Sequence, residues 1–143
     1  MFWKKKTTKQ KTAKKRTVLF VDDDEIVLMS LQRGLLDESY AKLFAKSGEE
    51  ALEVLQRKEV HVIVTDMRMH GMNGLDLLRT ARKDYPQIIG VMLSGYVDDA
   101  TIQTAVRQGE VFRSMRKPWK IGGRDFNAVV REAINRYDLQ NQD

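Results

Sequence analysis

From residue 17 onward, short apolar runs alternate with stretches whose apolar residues recur at helical spacing. Each run has the length of a strand, and the stretch after it has the amphipathic pattern of a surface helix. Strands that alternate with helices form parallel sheets, because the crossover helices cover both faces. We therefore predict an α/β fold: a doubly wound, five-stranded parallel sheet flanked by five helices. The predicted strands are 18–21, 40–45, 60–65, 88–93 and 111–115, and the last two predicted helices are 98–108 and 126–137.

Two of the predicted helices carry signals at their amino ends. Ser47 and Glu50 form a capping box, in which the serine hydroxyl and the glutamate carboxylate bond the first free backbone N–H groups. Asp24 and Glu25 suit the first turn of the first helix, where the helix dipole favours negative charge. Both signals lie just after a predicted strand, as the alternation requires.

The charge distribution divides the chain into a basic arm and a mildly acidic body. The 143 residues carry a formal net charge of +5, and residues 1–16 hold eight basic residues and no acid. The remainder therefore carries 5 minus 8, or −3. We interpret residues 1–16 as a basic disordered arm, 17–138 as the one folded domain and 139–143 as a polar tail. Contact of the arm with nucleic acid or an anionic membrane, aided by Phe2 and Trp3, is the less favoured interpretation.

The composition excludes several other classes of protein. Because the chain has no cysteine, it has neither a disulfide framework nor a thiolate metal site. His61 and His70 lack partners at metal-ligand spacing, so we expect no zinc site. The longest stretch without a charge, 85–97, is shorter than the roughly 18 residues that a membrane span needs. We expect a soluble, cytoplasmic protein.

Polar residues follow four of the predicted strands at their carboxyl ends. They are Asp22, Asp23 and Asp24 after the first strand, Asp66 after the third, Ser94 after the fourth and Lys117 after the fifth. In an open parallel sheet, ligands bind outside this edge. Neighbouring carboxylates repel one another unless a hard divalent cation takes up their charge, and Mg²⁺ suits a few carboxylates together with phosphate oxygens. A hydroxyl and an ammonium group beside them suit a phosphoryl group.

Asp66 is the candidate phosphoacceptor at this edge. It ends an apolar strand, and carboxylates form aspartyl phosphates when a cation screens the approach of an anionic donor. Each residue alone also fits a structural role: the acids after the first strand as helix caps, Ser94 as a loop hydroxyl and Lys117 as a surface charge. The joint placement of the set at four strand ends favours the phosphoryl-transfer interpretation.

Four segments of the chain resemble the signatures of a known family. VLFVDDDEIVL, VIVTDMRMHGMNGLDLL, VMLSGY and RKPW resemble, in order and spacing, the response-regulator receiver domain of two-component signalling, across residues 17 to about 138. The resemblance implies the flavodoxin-like receiver fold. It also implies a switch that catalyses only its own phosphorylation and dephosphorylation. GEVFRSMRKPW is similar to receivers attached to cyclic-dinucleotide phosphodiesterases or to ATPase-type activators.

The resemblance assigns a role to each residue that matches a motif. Asp66 matches the phosphoacceptor, and Asp22 and Asp23 match the acidic pair that binds Mg²⁺ together with the backbone carbonyl of Arg68. A second set matches the residues that contact the phosphoryl group: Ser94 the switch hydroxyl and Lys117 the lysine that pairs with the phosphoryl oxygens.

Two positions depart from the family pattern. His70 stands where the family often has proline, which predicts a less rigid loop after the acceptor. Ser114 occupies the place of the aromatic ring that usually couples the switch hydroxyl to the output face. Phe112 or Tyr96 could replace that ring, or the signal could pass through the fourth helix alone.

The resemblance also implies partners. A sensor histidine kinase or a histidine phosphotransfer protein would donate the phosphoryl group, and a downstream effector that the sequence does not identify would read the result. The predicted output face consists of the fourth helix, fifth strand and fifth helix, and it is also compatible with a homodimer.

Two other interpretations remain open at the level of sequence. In a haloacid-dehalogenase-like phosphatase, Asp22 would be the nucleophile and Asp24 the acid. That reading leaves Asp66 without a role and places the acidic pair Asp98 and Asp99 on the wrong side of Lys117. In a degenerate receiver, the domain would serve only for docking, or as a nucleic-acid or membrane adaptor through its basic arm. The intact set of acceptor-site residues argues against degeneracy.

Overall fold

The described residues of the protein, in a computed structural model, are 15–95, 99–116 and 123–142. Within these ranges five strands and five helices alternate along the chain. The strands are β1 (Thr17–Val21), β2 (Ala41–Ala45), β3 (Val62–Asp66), β4 (Ile89–Ser94) and β5 (Arg113–Arg116). The helices are α1 (Glu25–Gly34), α2 (Gly48–Arg57), α3 (Gly74–Asp84), α4 (Asp99–Arg107) and α5 (Arg124–Gln140).

The strands form one parallel sheet in the order β2-β1-β3-β4-β5. The predicted doubly wound α/β fold is therefore confirmed. Along the chain the sheet is built outward from β1 in both directions, so β1 lies between β2 and β3. This reversal is the point at which ligands bind in sheets of this class, because the loops after the two central strands diverge there.

The sheet is buried on both faces, which explains why its strands are continuous apolar runs. Successive side chains of a strand point to opposite faces. Leu19 and Val21 accordingly pack with α2, α3 and α4, whereas Val18 and Phe20 pack with α1 and α5. Burying a side chain as large as that of Phe20, which is fully enclosed, contributes roughly 1.5–3 kcal/mol.

The predicted capping signals are present with a small variation. The Ser47 hydroxyl accepts a hydrogen bond from the Glu50 N–H at 3.0 Å, and the Glu50 carboxylate accepts one from the Lys46 N–H at 2.8 Å. The glutamate thus reaches one residue further back than in the usual capping box. At the start of α1, the Asp24 carboxylate accepts from the Ile26 N–H at 2.9 Å.

The fifth strand begins two residues later than predicted. Val111 is buried, but its N–H donates to the Ala105 carbonyl at 3.3 Å, so the residue belongs to the turn that ends α4. Its apolar character reflects packing in the core and not a place in the strand. The ladder with β4 starts at Arg113 and runs along the edge of the sheet.

The last helix is longer than predicted at both ends, and it holds the start of the described chain. It extends three residues past Tyr137, so 139 and 140 of the predicted tail are helical. The Arg16 guanidinium pairs with Asp138 at 2.7 Å and lies 5.0 Å from the centre of the Tyr137 ring. The division at 17–138 stays a prediction, and residues 1–14 lie outside the described ranges. Among the helices of those ranges, none has the length and apolarity of a membrane span.

The loop between β3 and α3 approaches the backbone of Asp66 closely. The Gly74 N–H donates to the Met67 carbonyl at 2.9 Å, and the Asn73 side chain caps α3 by accepting from the Asp76 N–H at 2.8 Å. A Cβ atom at Gly74 would lie 2.3 Å from the carbonyl oxygen of Asp66. Glycine is therefore required at this position by the close approach of two backbone segments.

Replacing Gly74 with alanine should lower the free energy of unfolding by at least about 1–3 kcal/mol, the usual cost of overpacking. The added methyl group meets backbone, which cannot move aside as a flexible side chain can. The matched control is Gly95→Ala, because no atom lies within 4 Å of the Cβ added there. Urea unfolding measures both variants, and equal stability would contradict the packing argument.

Candidate functional site

Three carboxylates meet at the carboxyl ends of β1 and β3. Asp22 and Asp23 follow β1 and Asp66 ends β3, and each offers an oxygen within 4.8 Å of the other two. The contact follows from the parallel register, which pairs Val21 with Thr65 and so places the next residues of both strands at one edge. Asp22 is buried, Asp66 is half-buried and Asp23 is exposed, so the group opens from the protein interior to the surface.

The three consecutive acids after β1 divide between two tasks. Asp22 is fixed by its N–H, which donates to the Ala45 carbonyl at 3.2 Å, and by its carboxylate, which accepts from the Asp24 N–H at 2.9 Å. Asp24 caps α1 and is not a member of the carboxylate group. The helix-cap role that the sequence also allowed for these acids is therefore filled by Asp24, while Asp22 and Asp23 turn towards Asp66.

His70 contacts the exposed member of this group. The His70 N–H donates to Asp23 Oδ2 at 3.0 Å, and His70 Nδ1 lies 3.1 Å from the same oxygen. The backbone hydrogen bond is the main reason why the pKa of Asp23 lies below its usual range, although partial burial opposes the effect. The sequence flagged His70 only as a departure from proline. The sequence could have indicated this contact in one way: histidine has a backbone N–H to donate, whereas proline has none.

Ser94 lies at the same edge of the sheet, with its hydroxyl directed towards β5. The residue is buried, and its Oγ donates to the Met115 carbonyl over a long 3.5 Å. Asp66 pairs with Leu93 in the β3–β4 ladder, so Ser94 is one residue beyond the partner of the candidate acceptor. A hydrogen bond of this length is weak and easily exchanged for a better one.

Two residues that the sequence analysis singled out lie outside the part of the chain that the structure describes. Lys117 lies in 117–122 and Tyr96 in 96–98, both outside the described ranges. Arg68 is described and exposed, two residues after Asp66. The roles assigned to Lys117 and to the Arg68 carbonyl stay predictions.

Phe112 does not replace the missing aromatic residue beside Ser94. Its N–H donates to the Gly90 carbonyl near the amino end of β4, at 2.9 Å. Gly90 precedes Ser94 by four residues, or about 13 Å at roughly 3.3 Å per residue. Phe112 therefore lies near the amino end of β4, whereas Ser94 lies at the carboxyl end of that strand. The alternative in which Phe112 replaces the ring is wrong. Ser114 itself contacts α4, where Gln103 Nε2 lies 3.4 Å from its Oγ.

Comparison with known proteins identifies the family. Residues 18–123 match the response regulator receiver domain. The hydrogenase transcriptional regulatory protein HoxA of Cupriavidus necator is 37% identical over 127 residues, which are 89% of this chain and 26% of that protein. The DNA-binding transcriptional regulator NtrC of Escherichia coli is 32% identical over 125 residues, 87% of this chain and 26% of that protein. A solved structure described as adenylate cyclase from Rhodopirellula baltica superposes with a TM-score of 0.82 at 35% identity, covering 88% of this chain and 92% of that one.

The chain belongs to the response regulator receiver domain family of two-component systems. The chain spans about a quarter of the length of these two curated relatives. This match favours the receiver interpretation over the haloacid-dehalogenase-like phosphatase. The receiver domain is not an enzyme family in its own right. Receiver domains bind Mg²⁺ at an acidic pocket, and the Asp22, Asp23 and Asp66 oxygens are the hard donors that this ion prefers.

The pKa of Asp23 should depend on the backbone of residue 70. His70→Pro removes the N–H donor and should raise the pKa of Asp23 towards its usual range. His70→Ala keeps that donor and removes only the ring, so its effect should be smaller. Carboxyl-carbon NMR titration of metal-free protein measures both values, and an equal rise in the two variants would contradict the assigned cause.

The same hydrogen bond has a predictable effect on stability. Because the pKa of Asp23 is lowered in the folded protein, the ionised group stabilises the fold above its unfolded pKa, and this contribution is lost as the pH falls through the folded value. As the pH falls from the unfolded pKa of Asp23 through its folded pKa, the free energy of unfolding of the His70→Pro protein should therefore decrease less than that of the intact chain. Urea unfolding at a series of pH values measures the difference.

Proposed function

We propose that this chain is a phosphorylation-dependent signalling switch. It accepts a phosphoryl group on Asp66 from a sensor histidine kinase or a histidine phosphotransfer protein, with Mg²⁺ held by Asp22, Asp23 and Asp66. The observation that supports this most directly is the meeting of the three carboxylates within 4.8 Å at the reversal point of the sheet. The chain catalyses only its own phosphorylation and dephosphorylation.

The carboxylate group suits both the metal and the chemistry. Like charges this close raise the free energy of the ionised site, and a bound divalent cation removes that cost. When bound, Mg²⁺ supplies positive charge that offsets the charge on the equatorial phosphoryl oxygens. Asp22 is the anchored ligand, since its N–H and one carboxylate oxygen are fixed by the backbone. The carbonyl of Arg68 completes the proposed set of protein ligands.

Asp66 is the nucleophile in this proposal. Its carboxylate oxygen attacks the phosphorus in line, the bond from phosphorus to the donor imidazole nitrogen breaks, and the imidazole leaves with the bonding electrons and takes up a proton. Lys117, by its place in the family motif, pairs with the transferred phosphoryl oxygens. Tight contact between the Asp66 backbone and Gly74 keeps this end of β3 fixed while the group is transferred.

Ser94 converts the new charge into a change of shape. Among the described residues, the partner of its hydroxyl is the Met115 carbonyl, over a long 3.5 Å. A phosphoryl oxygen on Asp66 offers a charge-assisted bond instead, which is stronger and draws the segment between Ser94 and α4 inward. Moving a two-state equilibrium from 1:99 to 99:1 needs about 5.5 kcal/mol of differential stabilisation, which the phosphoryl group would have to supply to the switched state.

The output of the switch leaves through α4, β5 and α5. We propose that this face contacts a downstream effector and pairs in a homodimer, and that residues 17–138 are the unit that switches. The contact of Ser114 with Gln103 of α4 offers a route across this face that does not need the missing aromatic ring.

Asp66→Asn should abolish uptake of phosphate. The intact chain, incubated with Mg²⁺ and a small phosphodonor such as acetyl phosphate, should gain the mass of one phosphoryl group in intact-protein mass spectrometry. Asp84→Asn, at the exposed end of α3, is the matched control and should gain the same mass. Phosphate on the Asp66→Asn protein would show that another residue is the acceptor, and no uptake by the intact chain would favour the docking-adaptor alternative.

Asp23→Asn should weaken metal binding, whereas Asp24→Asn should not. Asp23→Asn removes a charged donor from the carboxylate group and should weaken Mg²⁺ binding by at least about tenfold. Asp24→Asn makes the same change of charge next door, and asparagine caps helices as well as aspartate does, so metal affinity and stability should both change little. Isothermal titration calorimetry measures the affinities, and equal losses in the two variants would contradict the proposed ligand set.

A further inference from the structure

A second concave site lies at the opposite, amino-terminal end of β4 and β5. It is a cleft of about 260 Å³ between the end of α3, the turn after α4, the start of β5 and the last turns of α5. Three arginines line it, and they come from three different elements: Arg82 of α3, Arg113 of β5 and Arg136 of α5. The described residues that line this cleft include none of the three carboxylates of the candidate functional site.

The Phe112 ring holds two of the arginines close together. The guanidinium carbon of Arg113 lies 4.4 Å from the ring centre, and that of Arg136 lies 4.8 Å from the same centre. Stacking on an aromatic ring stabilises each cation and fixes its plane. The two guanidinium carbons therefore cannot be farther apart than the sum of these two distances, and the half-buried ring gives them a rigid support.

The positive charge of these arginines is only partly balanced within the described residues. Arg113 faces the Glu132 carboxylate at 3.8 Å, which is near the limit of an ion pair. Arg136 has no carboxylate within ion-pair distance in the part of the chain that the structure describes, and its guanidinium group lies over the Phe112 ring. Glu110 also lines the cleft, but its carboxylate is bound by Arg79 through two hydrogen bonds of 2.8 and 3.0 Å.

Arg82 adds a hydrogen-bond donor that has no acceptor. Its Nη1 donates to the carbonyls of Gly109 and Glu110 at 3.0 and 3.4 Å. Its Nε is shielded from solvent, and no atom of the described residues accepts a hydrogen bond from it. Arg82 therefore contributes positive charge to the wall of the cleft, and its position is fixed by the hydrogen bonds of Nη1.

We propose that this cleft binds the phosphate or pyrophosphate group of a small ligand. Guanidinium groups present paired N–H donors whose geometry matches phosphate oxygens, and clusters of arginine are the usual means of binding phosphate. The volume is below the roughly 300–1,000 Å³ of pockets that enclose a drug-sized molecule, so the cleft suits the phosphate group and leaves the rest of a larger ligand outside. This site lies at the end of the sheet opposite Asp66, and none of its lining residues belongs to the carboxylate group.

The test is a titration of the full chain with sodium pyrophosphate. ¹⁵N-labelled protein in EDTA, at an ionic strength held constant with NaCl, should show saturable shifts of the Gly109 and Phe112 amides. Arg136→Gln should weaken binding by at least about tenfold, the effect of losing a charge-assisted pair of hydrogen bonds. Arg136→Lys keeps the charge but loses the planar donors, so it should also weaken binding several-fold.

Arg33→Gln is the matched control for total charge, because Arg33 lies on α1 and does not line the cleft. It should bind pyrophosphate as the intact chain does, and so should Asp66→Asn, which separates this proposal from the phosphoacceptor assignment. Shifts that grow without saturation, or equal affinities of the Arg136→Gln and Arg33→Gln proteins, would overturn the proposal, since non-specific attraction to the basic residues explains both results.

Titration with a second ligand tests whether the bound phosphate group belongs to a nucleotide. ADP, titrated under the same conditions, presents the same pyrophosphate group on a nucleoside. Affinities for ADP and pyrophosphate that are equal and depend on Arg136 support an inorganic or unspecified phosphate ligand. Tighter binding of ADP, with the same dependence, supports a nucleotide.

Discussion

Electrostatic repulsion among Asp22, Asp23 and Asp66 is the constraint on which the site depends. The parallel pairing of β1 with β3 brings these carboxylates within 4.8 Å, and burial of the sheet on both faces prevents the strands from separating to relieve the strain. Backbone N–H groups reduce part of this cost: that of His70 stabilises the ionised Asp23, and that of Asp24 donates to the Asp22 carboxylate. The remaining repulsion favours the binding of a cation, because folding already holds the three donors together and binding does not have to bring them there.

Much of the fold was predictable because both of its periodicities are strong. A sheet covered on both faces produces unbroken apolar strands, and the helices that cover it keep an apolar stripe. The predicted element bounds were wrong where the character of a residue did not reflect its secondary structure. Val111 is apolar and buried yet belongs to a turn, and α5 runs past Tyr137 through polar residues because Arg16 contacts it there. Local sequence does not report either contact.

The site was predictable as a set of residues, but its internal division of labour was not. Position at the strand ends was enough to group Asp22, Asp23 and Asp66. The sequence could not tell that Asp24 turns away to cap α1, nor that His70, 47 residues along the chain, reaches Asp23. The arginine cleft was missed altogether, because its members come from three elements and nothing in the sequence distinguishes each of them from a surface cation.

The contact of Arg16 with Asp138 and Tyr137 has a geometric consequence for the first residues of the chain. Arg16 precedes β1, so the basic segment joins the domain at the pole remote from the carboxylates, about 17 Å away at roughly 3.3 Å per residue along β1. Because Arg16 contacts Asp138 and Tyr137, any displacement of the end of α5 would also displace the point at which the chain enters β1.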